Sequence, residues 1–313
     1  MTHNAQLKQA KIGNDYDFSG QFKQISPFLK NSDFVAGNFE STSDKSKNFS
    51  SYPAFNTPPQ IFKSLKNIGF KALSVSNNHS LDMKISGLKS TLKEIKKANL
   101  KSFGSKEILI QEIKNLKFGF LAYSYGFNGF EKFVSKKDRN FINFLDEKKI
   151  KKDIKNLRSK VDFIVVYPHW GDEYSQKAND FQKKLAKKMI NFGADFVIGN
   201  HPHTTQEAFY YCDKRCGFVA FSLGNFISNQ RYETLKNYGV ERSLAVEILF
   251  KNSQISQINF HPLWVGKIEN KIQVFLAKDY KNKNSKIYQN KRAKKAYFDT
   301  LNHLDLKILH THK

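Results

Sequence analysis

The chain has 313 residues, of which 40% are hydrophobic and 14% aromatic. That suits a folded protein of one large or two small domains and excludes a disordered chain. The formal net charge is +24, which suits polyanions or anionic surfaces. The lysines are spread over nearly every expected helix, however, and no zinc finger, RRM-like aromatic motif or helix-turn-helix signature accompanies them, so nucleic acid is not an expected partner.

No apolar run approaches the roughly 18 residues of a membrane span. The first ten residues, MTHNAQLKQA, hold no apolar core of a signal peptide. Short apolar runs read as buried strands at 33–39 (DFVAGNF), 70–76 (FKALSVS), 117–124 (KFGFLAYS), 161–167 (VDFIVVY), 195–199 (DFVIG) and 217–223 (GFVAFSL). Helical patterns lie between them at 58–67, 84–98, 146–158 and 177–192. Pro58 and Pro59 suit the first turn of the first helix, and Gly69 and Gly193 suit C-terminal stops. Strands alternating with helices predict an α/β layered fold. The segments 243–250 and 254–260 have no helix between them and predict antiparallel hairpins. From about residue 277 the chain is rich in Lys and Asn, and predicts a solvated linker followed by a terminal helix near 290–305. Cys212 and Cys216, in CDKRC, either close a disulfide across a hairpin loop or remain free thiols; they are too few for a zinc site alone.

The polar residues that follow these strands form a pattern. Asn38 and Glu40 follow the first. Asn77, Asn78, His79 and Asp82 follow the second. His169, Asp172 and Glu173 follow VDFIVVY, and His201 and His203, in GNHPH, follow DFVI. Ligands of open α/β sheets bind outside the carboxyl ends of the strands, so four strand ends bring histidines and oxygen donors to one edge. A His-x-His in extended chain would point both rings the same way. Imidazole with carboxylate suits zinc, manganese or iron, and two such ions could clamp a phosphoester while a histidine protonates the leaving group. No GxSxG, P-loop or GxGxxG competes with this reading; SLGNF (222–226) reads as a turn closing the rim of the site.

NFE at 38–40, NNHSLD at 77–82, HWGDEY at 169–174, GADFVIGNHPH at 193–203 and SLGNF at 222–226 together resemble the bacterial capsule-synthesis CapA (poly-γ-glutamate synthesis, PGA_cap) family, which is itself similar to calcineurin-like metallophosphoesterases. The resemblance covers about residues 1–265 and leaves 266–313 as a basic C-terminal extension. It implies a four-layer α/β/β/α sandwich with a divalent metal site, of two ions, at strand ends. Carried over by motif, it implies Glu40 as the bridging carboxylate, Asn78 as an amide ligand, His169, His201 and His203 as imidazole ligands, and His79 as the general acid. Asp82 would orient the Asn–His loop. Asn38, Asp172 and Glu173 would support the site or meet substrate, or lie solvated.

One departure stands out. The family pattern opens with a strand ending in Gly-Asp-x-Met whose Asp is expected to bind metal, and Met1 aligns with that methionine. Either translation starts upstream, which the intact later motifs favour, or the gene is truncated. His3 then joins the site or is a loose terminal residue. Without the strand, a sheet edge and part of the core are expected to be exposed, and a version extended upstream to be more stable.

The implied function is a metal-dependent, phosphoesterase-like hydrolase in synthesis or export of an anionic capsular polymer such as poly-γ-glutamate. It would act at the cell envelope, extracytoplasmic or membrane-associated if a leader exists, beside capsule-synthesis membrane proteins. The alternative is a non-catalytic, polyanion-binding scaffold of the same assembly.

Overall fold

The computed structural model describes residues 1–106 and 108–304. The chain forms a mixed α/β fold with three main sheets. The largest has six strands in the order Ala208–Cys212, Cys216–Ala220, Phe196–Ile198, Phe163–His169, Leu116–Ser124 and Leu109–Ile113. Its inner pairs are parallel and its outermost pair at each edge is antiparallel. A second, parallel sheet joins Val35–Asn38, Phe70–Ser74 and Lys101–Phe103. The third is an antiparallel meander of Arg242–Lys251, Gln254–Ile268 and Lys271–Leu276.

Alternation along the strands explains the packing. In Phe163–His169, Ile164 and Val166 face the helices Glu147–Arg158 and Asp180–Phe192, while Phe163, Val165 and Tyr167 face the other sheets. Phe103 of the second sheet meets Phe120 and Tyr167 of the first at ring separations of 5.4 and 5.1 Å. Phe250 of the meander packs on Phe118 and Phe163. The helices Gln60–Asn67 and Lys84–Lys97 cover the outer side of the second sheet through Phe62, Leu65, Leu88 and Ile95. Residues apolar on both faces therefore sit in the middle, and the helices carry the lysines outward.

Local signals hold the helices in place. The Asp146 side chain accepts from the Lys149 amide at the start of one, and Asn179 with Gln182 forms a capping box at the start of the other. Gly193 ends that helix at φ 125°, a conformation that L side chains rarely adopt.

Three features differ from the sequence reading. The edge strands Leu109–Ile113 and Ala208–Cys212 were not expected; each alternates or is half exposed, so neither shows a continuous apolar run. The segment after residue 276 is not a solvated linker. Ala277 and Ile287 are buried against Trp264 and Phe275, with the helix Lys291–Leu301 packed on them. The 265/266 position falls inside the strand Gln254–Ile268, and Gln9 hydrogen-bonds the backbone of Ile272 in both directions. Residues 305–313, which include the end of the expected terminal helix, lie outside the described residues. Cys212 and Cys216 stand opposite each other in the hairpin and are joined as a disulfide.

Candidate metal centre

The carboxyl ends of strands from two sheets meet at one edge. Val35–Asn38 leads to Glu40, and Phe70–Ser74 leads to the turn holding Asn77, Asn78, His79 and Asp82. His169 is the last residue of its strand and bridges to Asn200, which carries the chain into His201 and His203. Glu40, Asn78, His79, Asp82, His169, His201 and His203 are all buried.

Glu40, His201 and His203 offer ligand atoms that all lie within 4.8 Å of one another. Glu40 Oε1 stands 3.6 Å from His169 Nε2 and 3.9 Å from His203 Nε2. That oxygen is buried and has no hydrogen-bond partner among the described residues; the same holds for Nδ1 of His201. A buried carboxylate oxygen left unpaired is costly, and here it faces imidazoles. His169 Nε2 lies 2.9 Å from Asn78 Oδ1, and it donates there only in the tautomer that carries its proton on Nε2. Two ligands about 2.1 Å from one ion, at right angles, would stand about 3 Å apart, so this spacing also fits a shared ion. The donor set of carboxylate, amide oxygen and imidazole suits zinc, manganese or iron.

Surrounding polar groups fix the rings. His203 Nδ1 donates to Asn225 Oδ1 at 3.1 Å, leaving Nε2 toward Glu40. His79 Nδ1 donates to Asp82 Oδ2 at 2.8 Å, and the Phe55 amide donates to the same oxygen at 2.6 Å. Asn77 donates to Asn38 Oδ1 and to the Phe39 carbonyl, and Asn38 donates to Glu40 Oε2 at 3.4 Å. The two strand ends are thereby tied together beneath Glu40.

The His-x-His geometry does not arise as the sequence suggested. Residues 201–203 are not extended: His201 has φ 105° and His203 φ 59°. Such values are rare for residues with a Cβ and cluster at functional sites. The left-handed turns, with Pro202 between them, bring the rings to 6.0 Å, and His201 lies 4.8 Å from His169. The Tyr174 amide, itself on a residue at φ 66°, holds the Pro202 carbonyl at 2.7 Å.

Burial sets the charge state. It pushes His201 down to about 4 and His203 down to about 3, and holds His169 well below the imidazole range, each with neighbouring histidines acting the same way. Neutral imidazoles keep the lone pairs a metal needs. Burial raises the Glu40 carboxyl, against the opposing pull of the Met1 ammonium and His79.

Other expected residues stand apart from this group. His3 caps the helix Asn4–Ala10, accepts from the Asn229 amide at 3.2 Å, and packs on Phe55, which in turn separates it from His79. Glu173 is exposed at the mouth, and Asp172 accepts from Asn179. Sequence reading missed Asn225, Asn128 and Tyr125. Asn128 lies within 3.4 Å of Asn78 and 3.5 Å of His79 Nδ1. The Tyr125 ring lies 4.7 Å from that of His201. The SLGNF turn, which contains Asn225, was the only signal among them.

Fold and site thus define a mixed α/β protein with a buried Glu/His/His group, at strand ends, that could hold a metal. The pattern of the bacterial capsule synthesis protein PGA_cap family matches residues 1–230, and the chain belongs to that family. The Capsule biosynthesis protein CapA of Bacillus anthracis is 32% identical over 243 residues, covering 72% of this chain and 58% of the relative. The PGA biosynthesis protein CapA of Bacillus subtilis (strain 168) is 32% identical over 220 residues, covering 67% and 57%. The chain therefore matches less than two thirds of the length of each. Among solved structures, a hypothetical protein from Thermus thermophilus superposes with a TM-score of 0.50 at 13% identity, over 78% of this chain and 92% of that one. A putative 5'-nucleotidase from Staphylococcus aureus superposes with a TM-score of 0.49 at 11% identity, over 95% and 56%. At such identities the likeness concerns the fold alone. No helix among the described residues is long and apolar enough to cross a membrane.

Proposed function

We propose that the chain is a metal-dependent, phosphoesterase-like hydrolase serving synthesis or export of an anionic capsular polymer such as poly-γ-glutamate. The observation that carries it is the unpaired, buried Glu40 Oε1 facing His169 and His203. Helices outside two facing layers of sheet support a four-layer α/β/β/α arrangement of the metallophosphoesterase kind. Glu40, Asn78, His169, His201 and His203 would hold one or two divalent ions, which when bound supply charge neutralisation at a phosphoester and an activated water.

The chain's own groups account for the rest. Asp82 fixes His79 with its Nδ1 proton spoken for, so Nε2 is the nitrogen free to deliver a proton to a leaving oxygen. Asn225 does the same for His203, presenting Nε2 as a ligand. Substrate would be a phosphoester or the anionic polymer itself, and the site of action the cell envelope, with capsule-synthesis membrane proteins as partners. The test is metal content by mass spectrometry with hydrolysis of a chromogenic phosphodiester, for the protein and for His201→Ala and His203→Ala. Stoichiometric metal and activity lost in both variants support the reading; retained activity in both refutes it.

The +24 charge favours a second reading, a scaffold that binds polyanion without turnover. Salt-sensitive association with polyglutamate that persists in chelator would support it.

A further inference from the structure

Lysine is spread over every outer helix, so charge alone singles out no face. A groove does. It has a volume of about 220 Å³, lies between the helix Asp180–Phe192 and the edge hairpin Ala208–Ala220, and is lined by none of the candidate metal ligands. Its floor is Phe209, Tyr211, Val219 and Phe221, and its rim is Lys183 and Lys187, one turn apart on the helix. Lys183 has no ion-pair partner among the described residues, and Lys187 lies over the Tyr211 ring at 5.4 Å. The Cys212–Cys216 disulfide closes the hairpin that supplies the floor.

The surroundings extend this chemistry. Asp180–Phe192 carries four lysines against one acidic residue, and the adjoining Glu147–Arg158 carries six basic residues against two acidic ones. Both present their lysines to solvent, and Phe181 projects from the same layer with 54% of its surface exposed. An aromatic, hydrocarbon-lined slot bordered by ammonium groups, on a broad cationic face, is complementary to a headgroup with an acyl chain beneath it. A second copy of this chain would bring like charge to the face. A soluble polyglutamate would satisfy the lysines and leave the apolar floor unfilled.

We propose that this face, formed by Glu147–Arg158, Asp180–Phe192 and the groove beside them, docks the protein peripherally on a membrane surface rich in anionic lipid. The groove takes up part of an acyl chain, and Lys183 and Lys187 hold the headgroup. The proposal is independent of the metal centre and of turnover.

The test is flotation of the full chain with phosphatidylcholine vesicles, with and without phosphatidylglycerol. Binding is expected only with the anionic lipid and is expected to fall with salt. The double variant Lys183→Glu/Lys187→Glu should weaken partitioning by more than about tenfold. Lys93→Glu/Lys96→Glu, which makes the same change in charge on an exposed part of the helix Lys84–Lys97, should weaken it far less. Trp170 packs on the groove residue Phe221 at 6.1 Å, so bromine-labelled acyl chains should quench its fluorescence in a Trp264→Phe background. Equal losses in the two charge variants, binding without quenching, or capture of soluble polyglutamate but not of vesicles would each overturn the assignment. Circular dichroism verifies that the variants remain folded.

Discussion

His79 and Asp82 form a buried pair in which the imidazole Nδ1 donates to the carboxylate Oδ2 at 2.8 Å. The same oxygen is held by the Phe55 amide, so the carboxylate is pinned from two sides and fixes which ring nitrogen of His79 keeps a free lone pair or proton. Replacing Asp82 with Asn keeps the shape and removes the charge. We expect kcat/KM on a phosphodiester to fall by about 10- to 100-fold with metal content unchanged. A variant that loses metal together with activity would make Asp82 a structural residue only.

Glu40 buries a carboxylate whose Oε1 has no partner, and burial raises its pKa. Glu40→Gln removes the charge at nearly constant volume. The metal-free variant should be more stable than the metal-free parent, by about 1 kcal/mol or more, while metal binding and activity are lost. Denaturant midpoints in chelator, read beside metal content, check both halves.

The histidines set a pH dependence. The fold holds His201 and His3 neutral down to about 4 and His203 down to about 3, against 6.5 for the free side chain. Between these limits the unfolded chain takes up protons that the folded chain refuses, so protons favour unfolding. Stability of the metal-free protein should be fully present above pH 6.5 and fall steadily as the pH drops toward 4. Glu40, whose pKa is raised, works in the opposite sense and softens the decline. Urea midpoints across this range measure the slope; a flat profile would mean that these rings are solvated.

Gly199 precedes the Asn–His–Pro–His segment where backbones crowd. A Cβ there would stand 1.9 Å from the Phe221 carbonyl oxygen and 2.6 Å from Trp170 Nε1. Gly199→Ala should cost about 3 kcal/mol or more, since a backbone carbonyl cannot step aside. It should also displace His201, so metal affinity falls along with the melting temperature.

The layered order of strands and helices was legible because the inner strands are apolar on both faces. The ends of those strands named Glu40, His79, His169, His201 and His203 as candidates. Edge strands such as Ala208–Cys212 were not legible, because half-exposed edges resemble loops. Asn128 reaches the site from a loop far from His79 in sequence and carries no local mark, whereas Asn225 was marked only by its place in the SLGNF turn, without its imidazole partner. The His201–His203 geometry was misread because left-handed φ at a non-glycine residue is dictated by its surroundings, here the Tyr174 amide on the Pro202 carbonyl. Ile287 was hidden in a lysine- and asparagine-rich segment whose composition suggested only solvent.

The buried group that could hold a metal joins Glu40 to His201 and His203, residues far apart along the chain. A polymer view follows. An ion held by Glu40 and His201 at once would act as a reversible crosslink closing a very long loop, and long loops lose the most chain entropy when tied. Its binding free energy would then appear as resistance to global unfolding that grows with free ion concentration. Calorimetry of the intact chain against buffered ion would therefore read site occupancy without any substrate, because tightening one small cluster tethers both halves of the molecule.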